Sequence, residues 1–191
     1  FANPGLIHPD FQGTPALSFD TTTWAASTIL VPVQEAKVNQ RHSSTTLELA
    51  EDEDRFTSTV RFSGIQEVQQ RRRYMAYEPK EQNRLLKEQV EKDSPRFSLT
   101  KAEVRDATNP RKDLNFHLEG RIERESGRRR EVEPFPMDPW PLWVPDRLDA
   151  NRTELIALPH ALVHSATSRF TLPKGYSLGQ VDPIVQSNAF G

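Results

Sequence analysis

Ser44-Thr45-Thr46-Leu47-Glu48-Leu49 and Arg55-Phe56-Thr57-Ser58-Thr59-Val60-Arg61-Phe62 flank the acidic run Glu51-Asp52-Glu53-Asp54. On the first side Thr45, Leu47 and Leu49 alternate with Ser44, Thr46 and Glu48. On the second, Phe56, Ser58, Val60 and Phe62 alternate with Thr57, Thr59 and Arg61. Successive side chains of a strand point to opposite faces, so period two on both sides of a polar tip predicts a half-buried β-hairpin. Four like charges in a row are tolerated where water screens them, which puts them at the tip.

Beyond Gly64 the period changes. Ile65, Val68, Arg72 and Met75 fall at helical spacing, with Arg72 lying along the stripe by its alkyl stem. Pro79 suits the first turn of a second helix that runs to about Asp93, where Ser94-Pro95 ends it. Leu86 and Val90 share one face of that helix, and Glu88 with Lys92 makes an i,i+4 pair worth ~0.3 kcal/mol.

Strands resume with Phe97 and Leu99, and then with Leu114, Phe116, Leu118 and Ile122 alternating against Asn115, His117, Glu119 and Arg121. Gly127 with Arg128 to Arg130 reads as a turn, and further strands are expected over 27–33, 153–158, 161–172 and 176–181. The fold expected is mainly β (α+β), an antiparallel β-sandwich with a two-helix insertion around residues 65–93. Residues 1–24, broken by Pro4, Gly5, Pro9, Gly13 and Pro15, read as a loop or linker from an upstream domain, and 25–191 as the β-rich domain.

The 191 residues hold 25 Lys and Arg against 27 Asp and Glu, and a net charge of −2 removes the electrostatic case for nucleic acid. The basic runs Arg71–Arg73 and Arg128–Arg130 are flanked by Glu67, Glu78, Glu81, Glu123, Glu125, Glu131 and Glu133, as in solvated ion-pair networks. The absence of cysteine excludes a thiol nucleophile, a disulfide framework and thiolate metal sites. The most apolar window, Trp24 to Val33, is interrupted by Ser27, Thr28 and Pro32 and falls short of the ~18 residues a spanning helix needs, so no membrane insertion is expected. A start at Phe1 reads as a processed form or an excised piece.

Chemistry-bearing patterns are sparse. His160 and His164 can share a face, but Ala161 stands where zinc hydrolases place Glu. The acidic tip lacks the alternation and glycine of a calcium loop. Neither a G-x-S-x-G elbow nor a glycine-rich phosphate loop occurs. The expectation is therefore no catalytic residue, no metal and no cofactor. The stretch that reads as functional is the Pro-Trp segment 134–145, where Trp140 and Trp143 could bind a protein or glycan partner or pack an extended connection against the sheet.

The order of features resembles a family. Asn3-Pro4-Gly5 and Phe11-Gln12-Gly13-Thr14-Pro15-Ala16-Leu17 open the chain, and Gly64, Arg72 and Leu85-Leu86 follow the hairpin. Arg152 with Leu155, Ile156 and Leu158 precedes Leu172-Pro173-Lys174-Gly175-Tyr176. Together they resemble the β-rich C-terminal domain of unknown function that follows the papain-like Cys-His-Asp core of bacterial transglutaminase-like proteins. The resemblance implies a non-catalytic accessory module, periplasmic or secreted, that packs against or positions the upstream core or a partner. The alternative is a stand-alone carbohydrate- or protein-binding β-sandwich using segment 134–145.

Overall fold

The computed structural model describes residues 6–50, 53–122 and 163–176. Its strands are β1 (Pro15–Phe19), β2 (Ala26–Leu30), β3 (Gln40–Glu48), β4 (Asp54–Phe62), β5 (Phe97–Arg105), β6 (Asn115–Ile122) and β7 (Val163–Thr171). Helices α1 (Gly64–Tyr74) and α2 (Pro79–Asp93) stand between β4 and β5. The mainly-β, α+β class is thus what the chain adopts, with the helical insertion at the expected place.

β3 and β4 form the expected antiparallel hairpin, with Thr45 opposite Ser58 and Leu47 opposite Phe56. They are the centre of a five-stranded sheet ordered β5-β6-β4-β3-β7. One face of it carries Leu47, Phe56, Val60, Phe62, Leu99, Phe116 and Leu118, all buried, and Leu86 and Val90 of α2 join the same cluster. Edge-on aromatic contacts knit it: Phe62 to Phe116 at 4.9 Å and Tyr74 to Phe116 at 5.3 Å between ring centroids. Pairs of this kind add about 0.5–1.5 kcal/mol beyond the area they bury.

Helices, rather than a second sheet, cover this face among the described residues. A helix with a Leu86/Val90 stripe can bury an apolar sheet face as well as another sheet does. The sheet is also mixed, not wholly antiparallel. β7 runs parallel to β3, pairing Gln40 with Val163 through to Glu48 with Thr171. Residues 15–19, expected in a loop, form β1 and pair with β2 as a separate two-stranded sheet. Pro15 is tolerated there because it is the first residue of its strand.

The buried face of α1 is rotated from the expected stripe. Ile65, Glu67, Arg71 and Tyr74 point inward while Arg72 is exposed. Arg71 is held by partners that no apolar pattern announces. Its Nε donates to Glu67 Oε1 at 2.8 Å, Nη1 donates to the carbonyls of Asp106 and Ala107, and Nη2 donates to that of Lys112. The guanidinium therefore ties α1 to the β5–β6 connection. On α2, Glu88 accepts from Arg84 rather than pairing with Lys92.

A buried hydroxyl pair lies in the middle of the hairpin, with Thr45 Oγ1 and Ser58 Oγ 2.8 Å apart. Thr45→Val leaves the Ser58 hydroxyl in an apolar setting and should destabilise by about 1–2 kcal/mol. Thr45→Val combined with Ser58→Ala should cost less than the two single changes together, because both polar groups are then gone. Urea unfolding of the three variants measures this, and additive losses would contradict the pairing.

Candidate functional site

Two surfaces stand out among the described residues once the core is assigned. The first is the open face of the five-stranded sheet, where the polar members of each alternation line up in cross-strand rows. Arg169, Thr46, Thr57, Glu119 and Lys101 form one row, and Thr167, Ser44, Thr59, His117 and Glu103 the next. His117 Nε2 lies 2.9 Å from Glu119 Oε1 and its Nδ1 3.5 Å from Thr59 Oγ1. Lys101 Nζ sits 3.0 Å from Glu103 and 3.5 Å from Glu119.

A hydroxyl–imidazole–carboxylate string of this order invites comparison with a nucleophile and its base. The 3.5 Å hydroxyl distance lies beyond the usual range, and the carboxylate also faces Lys101, so the groups make an ion-pair ladder. A polar cleft of about 290 Å³ opens at one end of this face, lined by Thr46, Glu48, Arg55, Thr57, Glu119 and Arg121 among others. Arg55 and Arg121 stand directly opposite each other there, a repulsive placement that Glu53 relieves by bonding both, at 3.1 and 2.9 Å.

Ionisation follows these contacts. Hydrogen bonds from Arg105 and Lys101 hold the Glu103 carboxyl down to about 2, from a usual 4.5. A depressed carboxylate contributes its stabilisation above the usual value and loses it as pH falls from 4.5 toward about 2. Carbon-detected NMR should place the Glu103 midpoint near 2, and Arg105→Gln should move it upward. The hydrogen bond from His117, with help from Lys101, lowers Glu119 as well.

The second surface is the β1–β2 arm, whose strands, among the described residues, pair with each other alone. Pro15, Leu17 and Phe19 share one face with Leu30, Thr28 and Ala26, their cross-strand partners. Leu17 and Leu30 are 67% exposed, Phe19 60%, and Trp24 at the tip 81%. From Phe11 to Val33 Asp20 is the single charged residue, in a chain that is 27% charged.

The arm is built firmly. At its root Gly13 N donates to Val31 O and Val31 N to Thr14 O, both at 2.9 Å. At its tip Asp20 Oδ1 accepts from the amides of Thr22 and Thr23 at 2.7 and 3.1 Å. Trp24 N donates to Asp20 O at 2.8 Å, and the residue is held at φ 56°, a left-handed conformation unusual for so bulky a side chain.

The residues singled out from the sequence fall unevenly. Trp140 and Trp143, with the whole 134–145 segment, lie outside the described residues, as do His160 and Arg128–Arg130. His164 sits half-buried on β7, opposite Arg41 of β3. Among the described residues no group of three or more His, Asp and Glu stands close enough to hold a metal ion, and no helix is long and apolar enough to cross a membrane. The arm is the surface that the loop reading of 1–24 missed. Its available signal was the alternation of Leu17 and Phe19 within an uncharged stretch. Comparison with known families, curated proteins and solved structures gives no match to this chain.

Proposed function

We propose that this chain is a non-catalytic accessory module whose work is docking to protein through the β1–β2 arm. One observation carries the reading: a hydrogen-bonded arm, carrying a single charge, that holds Leu17, Phe19, Trp24 and Leu30 in water. Exposed contiguous apolar surface on a folded domain marks an interaction site. Protein surfaces fit it better than glycans, since the face that holds Leu17, Phe19 and Leu30 offers sugar hydroxyls one side-chain hydrogen-bonding group, that of Thr28. The polar open face, saturated by its own ion pairs, is read as solvated surface.

The host suggested by the sequence resemblance is a bacterial transglutaminase-like protein, secreted or periplasmic, with its Cys-His-Asp core upstream. A photo-crosslinking residue at Phe19, used in the source cell and followed by peptide sequencing, tests the docking. Discrete crosslinks to one protein species are expected, and crosslinks to lipid alone would overturn the reading. The intact mass of the native protein tests the host. A longer chain bearing the catalytic core ahead of Phe1 is expected, and a native chain of 191 residues would sink the accessory assignment.

A further inference from the structure

We propose that the arm's occupant is a second copy of this chain, two arms packing face to face about a twofold axis that crosses the strands. The proposal rests on the docking reading and names its partner.

Self-complementarity of the arm carries it. The three rows of the apolar face are Pro15 with Leu30, Leu17 with Thr28, and Phe19 with Ala26. An axis through the middle row brings Leu17 onto its own counterpart. The half-turn then lays Phe19 over Pro15 of the second copy, and Leu30 over Ala26 of the second copy. Large side chains meet small ones at both ends, which lets two sheets approach to the usual ~10 Å.

The tip obeys the same symmetry. Trp24 lies four residues before Thr28 and Val33 five after it, so the tip of one arm reaches the root of the other. Val33 is 70% exposed there. The tips point apart, which separates the two Asp20 carboxylates, and each five-stranded sheet hangs at its own end of the pair.

Area sets the strength of the pair. Phe19 at 60% and Trp24 at 81% exposure, taken at roughly 150–250 Å² for a whole aromatic side chain, offer about 200–350 Å² between them, and Leu17 and Leu30, each 67% exposed, add to it. That places the pair at the weak end of specific interfaces, which bury roughly 800 Å² on each side at standard size.

Sedimentation velocity on the intact chain from about 1 to 100 µM should show a monomer–dimer equilibrium with Kd in the micromolar range or below. Leu17→Asp, which sets two carboxylates face to face at the axis, should raise Kd by ~100-fold or more. Trp24→Gly should weaken the dimer by ~10-fold or more while leaving Tm equal or higher at concentrations well below Kd, where both proteins are monomers, because glycine accepts the positive φ. Thr57→Asp, on the open sheet face, should leave Kd unchanged.

A wild-type chain that stays monomeric throughout, or a dimer that survives Leu17→Asp, would overturn the proposal. If the monomer still crosslinks from position 19 to a different protein, the dimer fails and the docking reading stands. If the monomer instead binds phosphatidylcholine–phosphatidylglycerol vesicles through the arm, both fail.

Discussion

Arg71→Met is expected to lower the melting temperature by about 10 °C or more, the largest single effect in the molecule. The methionine keeps the packing volume but removes every donor. Glu67 then stays buried with its charge uncompensated, and the carbonyls of Asp106, Ala107 and Lys112 lose the guanidinium that serves them. Removing one partner of a buried pair typically costs 3–5 kcal/mol, roughly 2–4 °C for each kcal/mol in a chain of this size. Glu67→Gln, which keeps an acceptor beside the guanidinium, should cost less. Calorimetry of the two variants checks the order, and a loss below about 1 kcal/mol for Arg71→Met would mean the clamp is not a stabilising contact.

Gly64→Ala is the second large effect, at about 3–4 kcal/mol. Gly64 begins α1 at φ 64°, directly after the N-cap residue Ser63, and a side chain there is strained whatever the space. The space is also absent. A Cβ would collide with both Val38 O and Asn39 Oδ1, and a backbone carbonyl cannot swing aside. Asn39 Oδ1 itself accepts from Ile65 N at 2.9 Å, so the intruding methyl also disturbs the group that caps the helix. Denaturant unfolding should show a lower midpoint with an unchanged slope, and wild-type stability would contradict the close approach.

These residues mark where the sequence could be read and where it could not. The β3–β4 hairpin and α2 were legible because one face of each is apolar at a clean period, through Leu47, Phe56, Val60, Leu86 and Val90. α1 misled because its inward face holds Glu67 and Arg71, which satisfy each other and so break the apolar stripe. A pattern that counts hydrophobic residues picks Arg72 instead. β1 was hidden by Gly13 and Pro15, which break regular structure in most settings but here sit at the arm's root. The arm's exposure was not legible at all, since Leu17 and Phe19 alternate just as buried residues would. The parallel pairing of β7 with β3 depends on a non-local choice of edge that the alternation of Val163–Thr171 leaves open.

That last pairing has a consequence in time. His42 and Ser165, bonded across it at 2.8 Å, are 123 positions apart in the chain, whereas β3 and β4 adjoin. Loops this long close late, after hairpins and helix pairs have formed. On a ribosome adding 5–20 residues per second, β3 leaves the tunnel roughly 6–25 s before the strand that will cover its outer edge. For that interval a row of free amides and carbonyls from Gln40 to Glu48 is open to any other extended chain. The nascent protein's safety in those seconds rests on how quickly that edge meets β7, not on the strength of the finished core.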